Sequence, residues 1–347
     1  MIEPERKRSV EELLTVTIII IACFFAFTYF LTVVLGPAIF FFTQEGAATS
    51  VMYMYRLPVW LFAIISFYVP VMLPVGAVFL FLVGVFFLCL LAAWEFRESF
   101  HNVIRKVSSR PIREMFNNFL VAMPIITSML LVAVVLIISL QSFVGLPTER
   151  LVTEPFPFRE FFGLSLAVVI EEIGFRISPI GLFLIIYVFD AYVQNKIVLS
   201  RKDRLKLLFT ALVYPDRAKK TVNMRTVGDC GIRSGISRGE WVMIFLTAFA
   251  WGLVHFLSGS WTVGKITSVF VDGLFFGLVY IAYGAYAPIL LHWFFNYYSW
   301  VLFDESATIY YPYLLPISSL AAQMMFVVGI VGWIAFAIIG VKKLLNI

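Results

Sequence analysis

Charged residues are scarce in this sequence. Only 14% of its 347 residues are Asp, Glu, Lys or Arg, whereas 61% are hydrophobic. Soluble domains carry roughly 25% charged residues, so this shortage excludes an ordinary soluble globular domain. The apolar residues form continuous runs of about 20 or more, the length an α-helix needs to cross about 30 Å of hydrocarbon. Because these runs do not alternate with polar residues, they predict membrane-spanning helices rather than a β-barrel.

Cysteine is also scarce, with three in the chain and no Cys-x-x-Cys pair. This excludes a disulfide framework and a thiolate metal site. The net charge of +5 comes from a few basic loops, a pattern typical of positive-inside membrane topology. We therefore expect contact with membrane lipid and none with nucleic acid. No repeat, low-complexity tract or soluble second domain is evident, so residues 1–347 are interpreted as a single integral membrane domain.

The apolar runs predict an all-α, polytopic helical bundle in the cell membrane, with both termini cytoplasmic and an intramembrane active site. The first run is too long for a signal peptide and is interpreted as an uncleaved span. Residues 57–70, broken by Pro58 and Pro70, are predicted to be interfacial or re-entrant. A second crossing within 57–94 stays open as an alternative. The spans are about eight: 13–35, 73–94, 118–142, 161–192, 241–257, 265–284, 286–303 and 314–341.

Residues 195–240 form a basic insertion between the fourth and fifth spans. The positive-inside rule predicts that this segment is cytoplasmic. Its middle, "LLFTALVY", is typical of a helix on the membrane surface. The later piece "GDCGIRSGISRG" predicts a flexible loop.

One apolar run contains three charged residues that are costly in lipid. In "AVVIEEIGFRISPI", residues 167–180, each of Glu171, Glu172 and Arg176 costs about 2.5–3.5 kcal/mol at the centre of a membrane helix. Glu172 and Arg176 are four residues apart, so we expect a structural ion pair on one helix face. Glu171 points about 100° away from Glu172 and is free for another task.

Two of the three histidines also lie in predicted spans. "FAWGLVHFLSG" contains His255, and "YAPILLHWFFNYYSW" contains His292 and, one turn later, Asn296. Costly groups on separate spans are expected to converge. An acid, two imidazoles and an amide form an ordinary hydrolytic set, in which Glu171 and His255 activate water. His292 and Asn296 would then donate to the oxyanion of the tetrahedral intermediate.

A metal site is the alternative at the same position. Glu171, His255 and His292 offer one oxygen and two nitrogens, a set that suits zinc. The residues alone do not choose between a metal-bound water and a water activated directly by the carboxylate. Asp272 is a further intramembrane acid, for which we expect a packing or helix-end role. Gly273 and Gly277 form a Gly-x-x-x-Gly pair that is typical of close helix packing.

Three motifs in order resemble the CAAX-processing and bacteriocin-processing family of intramembrane proteases, which includes type II prenyl-protein endopeptidases. They are "EEIGFR", "WGLVH" and "HWFFN", and the resemblance covers about 165–300. It implies that Glu171 and His255 activate water, that His292 and Asn296 stabilise the oxyanion, and that Glu172 and Arg176 pair. The sequence departs from the family pattern at Trp251, where Phe is usual. We expect this change to alter packing beside His255 and not the set of donors.

The expected function is an intramembrane endopeptidase that cleaves a peptide bond near the cytoplasmic side of the membrane. A prenylated C-terminal peptide of CAAX type is a substrate implied by the resemblance. Two other classes stay open: a non-catalytic scaffold or immunity-type protein on the same fold, and a proton-coupled transporter with a Glu/His relay. The transporter would be expected to carry an internal repeat, and none is found.

Overall fold

The computed structural model describes residues 2–106, 111–152 and 154–345. Within these residues, seven helices are long and apolar enough to cross a membrane. The chain is therefore an integral membrane protein built as a helical bundle. The seven spans are 11–42, 75–105, 119–143, 157–194, 238–257, 265–283 and 312–342. The helices that form or flank them are α1 (Ile2–Phe42), α2 (Gln44–Ser50), α3 (Val75–Glu95), α4 (Phe100–Arg105), α5 (Ile112–Met115) and α6 (Phe119–Phe143).

The later helices are α7 to α17. The bounds of these helices are α7 (Pro157–Glu172), α8 (Pro179–Gln194), α9 (Arg201–Val213), α10 (Pro215–Thr221), α11 (Val227–Gly235), α12 (Arg238–Leu257), α13 (Lys265–Tyr283), α14 (Tyr286–Trp293), α15 (Ser299–Phe303), α16 (Glu305–Thr308) and α17 (Leu315–Leu345). A π-helical turn at Ile173–Ile177 joins α7 to α8.

The predicted span 286–303 differs from the other seven. It is helical throughout but is divided into α14, a π-helical turn at Phe294–Tyr298, and α15. Most of its side chains are buried among the surrounding helices. Its polar and aromatic residues make it less apolar than a lipid-facing span, which fits a helix in the centre of the bundle.

The all-α bundle prediction is confirmed, and residues 53–74 are a short exception within it. They form an antiparallel hairpin of β1 (Tyr53–Leu61) and β2 (Ile65–Pro74). Pro58 and Pro70 disfavour a helix here, because each lacks an N–H donor and clashes with the preceding turn. The stretch 57–94 therefore contains one span-length helix, α3, preceded by a hairpin rather than by a second crossing.

The tip of this hairpin is fixed to the helix that carries the Glu-Glu-x-x-x-Arg motif. The N–H of Ala63 donates to the carbonyl of Gly174 at 2.9 Å. The N–H of Phe62 donates to Oγ of Ser178 at 2.8 Å. A Cβ on Gly174 would lie 2.5 Å from Cβ of Trp60, so only glycine permits this approach of β1. The hairpin thus reaches the π-helical turn directly after the two glutamates.

The Gly-x-x-x-Gly prediction is confirmed by the contact between α12 and α13. A Cβ on Gly273 would lie 2.8 Å from Ala248, and one on Gly277 would lie 2.9 Å from Ile244. The two helices approach closely because neither glycine has a side chain. This contact brings α12, with its motif histidine, alongside the bundle centre.

The basic segment is helical for most of its length, and one prediction for it was wrong. The expected surface helix is α9. The expected loop "GDCGIRSGISRG" instead contains α11, which bends at Gly231, whose φ is 72°. Lys219 and Glu240 join the segment to the start of α12 through a buried ion pair at 2.9 Å.

Candidate active site

Glu172 lies in the last turn of α7 and connects two motifs. Its Oε1 pairs with Nη1 of Arg176 at 3.1 Å, and both side chains are completely buried. The predicted pair is therefore present in the structure. The same Oε1 also accepts a hydrogen bond from Nδ1 of His292 at 2.9 Å. Glu172 therefore orients the histidine of the third motif in addition to neutralising the arginine.

His292 and Asn296 lie one turn apart and contact each other, as their spacing predicted. Nδ2 of Asn296 is 3.2 Å from Nε2 of His292 and 3.2 Å from the carbonyl oxygen of Leu164. The Leu164 carbonyl only accepts, so the amide nitrogen of Asn296 faces both partners. With Nδ1–H donated to Glu172, the neutral imidazole of His292 accepts at Nε2.

This arrangement bears on the predicted oxyanion donors. Both amide hydrogens of Asn296 are engaged, and Nε2 of His292 is an acceptor. Neither group is a free donor in the resting arrangement. Donation to a substrate oxyanion therefore requires the Asn296 amide to leave one of its present partners, or His292 to gain a proton.

Glu171 is held by a residue of the second motif. Its Oε2 accepts a hydrogen bond from the indole Nε1 of Trp251 at 2.7 Å. The guanidinium of Arg176 lies over the same indole ring, 3.9 Å from its centroid. The expectation that Trp251 alters only packing was wrong, because this tryptophan adds a donor that Phe lacks.

His255 is anchored by the same tryptophan through the backbone. Its Nδ1 lies 2.9 Å from the carbonyl oxygen of Trp251. A carbonyl only accepts, so Nδ1 carries the proton and Nε2 is left as an acceptor. Within the described chain, no hydrogen bond to that second nitrogen is recorded. His255 can therefore accept a hydrogen bond from a water molecule at Nε2.

The four predicted catalytic residues line one cavity of about 370 Å³. Two loops form one end of it: Leu151 N–H donates to the Ser260 carbonyl at 2.9 Å. The other lining residues are Trp60, Arg150, Val152, Leu164, Ala167, Phe175, Trp251, Val254, Ser258, Ser260, Trp261 and Lys265.

The cavity and the basic segment lie at opposite ends of α12. Ser258, Ser260 and Trp261 follow the last residue of this helix and line the cavity, whereas the basic segment leads into its first residue. A helix of 20 residues is about 30 Å long. The mouth of the cavity and the basic segment are therefore separated by about the length of this helix.

The described residues contain no assembled set of ligands for the zinc alternative. Among residues 2–106, 111–152 and 154–345, no three His, Cys, Asp or Glu side chains are grouped so that they could hold a metal ion. Glu171 and His255 each form a hydrogen bond with Trp251, and His292 forms one with Glu172. The three predicted ligands thus engage separate partners instead of converging on one point.

Asp272 is buried on α13, and its Oδ1 has no hydrogen-bond partner in the described part of the chain. It does not line the catalytic cavity, which agrees with the expectation that it is not catalytic.

Sequence reasoning missed two tryptophans of the site. Trp251 donates a hydrogen bond to Glu171, and Trp60 lines the catalytic cavity. The role of Trp251 could have been predicted, because Trp in place of Phe adds an N–H donor. Nothing in the sequence indicated the position of Trp60.

Comparison with known families follows the same motifs. A family model described as type II CAAX prenyl endopeptidase Rce1-like matches residues 154–298. This segment is less than half of the chain and contains all three motifs, so the resemblance found from them is confirmed there. No curated protein and no solved structure matches the chain. The match supports an intramembrane protease of the CAAX-processing kind, acting on a peptide or protein.

Proposed function

We propose that this protein is an intramembrane endopeptidase in which Glu171 and His255 activate the attacking water. The observation that carries the proposal is the double role of Trp251. Its indole N–H holds Oε2 of Glu171 at 2.7 Å, and its carbonyl holds Nδ1 of His255 at 2.9 Å. One residue therefore aims a carboxylate and an imidazole into the same cavity.

The hydrolytic step follows from the atoms that remain available. Oε2 of Glu171 is occupied by the indole, so Oε1 takes the proton from water as the water oxygen attacks the scissile carbonyl. Nε2 of His255 accepts the second water hydrogen in a hydrogen bond and orients the nucleophile. When the tetrahedral intermediate collapses, Glu171 returns its proton to the leaving amine, and a carboxyl group and a free amine result.

The oxyanion is stabilised by Asn296, which lines the same cavity. The amide of Asn296 exchanges its hydrogen bond with the Leu164 carbonyl, at 3.2 Å, for one with the oxyanion. Glu172, which is paired with Arg176, holds His292 next to Asn296, so the amide stays close to the reacting carbon. One such donor contributes on the order of 10²- to 10³-fold to turnover.

A lipidated substrate is supported by a second cavity beside the first. This apolar groove, of about 490 Å³, is walled by β1, α3 and α7. Trp60 lines both the groove and the catalytic cavity. An isoprenoid chain in the groove would thus leave the attached peptide next to Glu171. The residues that line the groove are Met54, Leu57, Pro58, Val59, Trp60, Leu73, Ala77, Val78, Phe81, Leu82, Leu166, Val169, Ile170 and Ile173.

The side of cleavage follows from the ends of α12. The basic charge of 195–240 favours a cytoplasmic position for that segment in the cell membrane. Both termini are then cytoplasmic, with the buried helical stretch 286–303 as an eighth crossing. The cavity then opens on the other face. Exposed Cys230 in α11 is a reporter when Cys23 and Cys89 are replaced. It is compared with Ser260→Cys in a chain from which all three native cysteines have been removed. A membrane-impermeant maleimide added outside intact cells should label Ser260→Cys and spare Cys230; the reverse pattern would restore cleavage at the cytoplasmic side.

The activity is tested with purified protein and a library of quenched peptides, each prepared with and without a C-terminal isoprenyl thioether. We expect cleavage of one amide bond, located by mass spectrometry of the products, and faster cleavage of the lipidated peptides. Failure of the wild-type protein to cleave any peptide would contradict the protease proposal and favour a non-catalytic scaffold. Proton flux into liposomes without peptide cleavage would favour a transporter.

A further inference from the structure

A third cavity, of about 530 Å³, lies at the opposite end of α12 from the catalytic mouth. Its walls come from α8, α10, α11 and the first residues of α12. Arg225, Arg233 and Arg238 line it, and no Asp or Glu is among the residues that do. The cavity therefore concentrates positive charge with no acidic residue in its wall.

The three arginines are exposed, and no ion pair or hydrogen bond links any of their side chains to another residue of the described ranges. The fourth cation of the cavity, Lys219, differs: its Nζ lies 2.9 Å from Oε1 of Glu240 and 2.5 Å from the carbonyl of Gly235. Lys219 is thus neutralised within the fold, whereas the three guanidinium groups are left to interact with something else. Like charges that share a cavity repel one another, and an anion bound between them removes that cost.

The cavity lies beside two helices that are long and apolar enough to cross a membrane. Arg238 is the first residue of the span 238–257, and Tyr187, also in the cavity wall, belongs to the span 157–194. Met224 and Ile236 add apolar surface. The site therefore combines cationic groups with apolar side chains at the start of a membrane-spanning helix, which matches a molecule with an anionic head and an apolar tail.

We propose that this cavity binds the phosphate group of an anionic membrane lipid. Guanidinium groups bind phosphate oxygens through paired N–H donors, which gives both charge neutralisation and fixed geometry. Basic pockets at the ends of membrane helices are a known setting for such headgroups. The proposal gives the basic insertion a function of its own, independent of peptide cleavage about 30 Å away along α12.

The test uses the full chain in nanodiscs of phosphatidylcholine, to which a fluorescent phosphatidylglycerol is added in increasing amounts. The variant Arg233→Ala/Arg238→Ala removes two cations from the cavity. The matched control, Arg201→Ala/Lys202→Ala, removes two exposed cations of α9 that do not line it. Each arginine that binds phosphate should contribute roughly tenfold to affinity. We expect the cavity variant to bind the lipid roughly 100-fold more weakly and the control to bind like wild type.

Folding is monitored separately, because Arg238 begins a membrane helix. Arg233→Lys/Arg238→Lys keeps both charges and should retain the wild-type melting temperature in neutral lipid while losing part of the affinity, since lysine lacks the guanidinium fork. Equal weakening in the cavity and control variants would overturn the proposal, because it would mean that charge alone attracts the lipid. Tighter binding of inorganic phosphate than of the lipid would also overturn it, by assigning the site to free phosphate.

Discussion

Replacing Trp251 with Phe removes one donor from Glu171 and keeps an aromatic ring beneath Arg176. The lost hydrogen bond joins the indole Nε1 to Oε2 of Glu171 at 2.7 Å. Hydrogen bonds to charged groups contribute about 1.5–3 kcal/mol, and about 1.4 kcal/mol corresponds to a factor of ten. If the bond holds the carboxylate through the transition state, kcat should fall by roughly 10- to 100-fold.

The assay measures kcat and KM with a quenched lipidated peptide, together with the melting temperature. Because Trp251 binds Glu171 rather than the substrate, we expect KM to change little while kcat falls. Trp261→Phe is the matched control, since Trp261 lines the same cavity and contacts Arg150 and Lys265 through its ring. An unchanged kcat in Trp251→Phe, or a loss confined to KM, would refute the idea that the indole positions the general base.

Three further changes test other parts of the account. Glu172→Gln leaves the buried guanidinium of Arg176 without its counter-ion and should destabilise the fold by about 3–5 kcal/mol, seen as a lower melting temperature; an unchanged value would contradict the pairing. Gly174→Val places side-chain atoms where Cβ of Trp60 would be 2.5 Å away, so cleavage of lipidated peptides should fall more than that of unlipidated ones, and an equal loss would separate the hairpin from lipid binding. Burial raises the pKa of Asp216, so the stabilisation that depends on its protonation is largest below about pH 4 and is lost as the pH rises through the raised pKa. The melting temperature of wild type relative to Asp216→Asn should therefore fall over that range, and a constant difference would exclude the linkage.

The sequence predicted the features that depend on local pattern. Continuous apolar runs located the seven spans, because crossing the membrane needs length and apolarity, and both are visible in the chain. The spacing of Glu172 and Arg176 predicted their pair, and the spacing of His292 and Asn296 predicted their contact. These predictions hold because a helix fixes the relative position of residues four apart.

Features that depend on contacts between distant segments escaped prediction. The prolines at 58 and 70 marked a break in the helix, but nothing local indicated that the hairpin tip would bind Gly174 and Ser178. The hydrogen bond from Trp251 to Glu171 joins residues 80 positions apart. It therefore depends on which face of α12 is directed towards α7. The piece 228–239 was predicted to be a loop because it is rich in glycine, although helical turns of α11 stand on both sides of the bend at Gly231.

The central claim is that the carboxylate of Glu171 activates the water without a metal ion. Glu171→Gln tests it most directly, because an amide keeps the size of the side chain and still offers an oxygen to the Trp251 indole. We predict that this variant binds the lipidated peptide like wild type and cleaves it roughly 10²- to 10⁴-fold more slowly, while a zinc chelator leaves wild-type cleavage unchanged. Cleavage that survives in Glu171→Gln, or wild-type cleavage that the chelator abolishes and added zinc restores, would contradict the account.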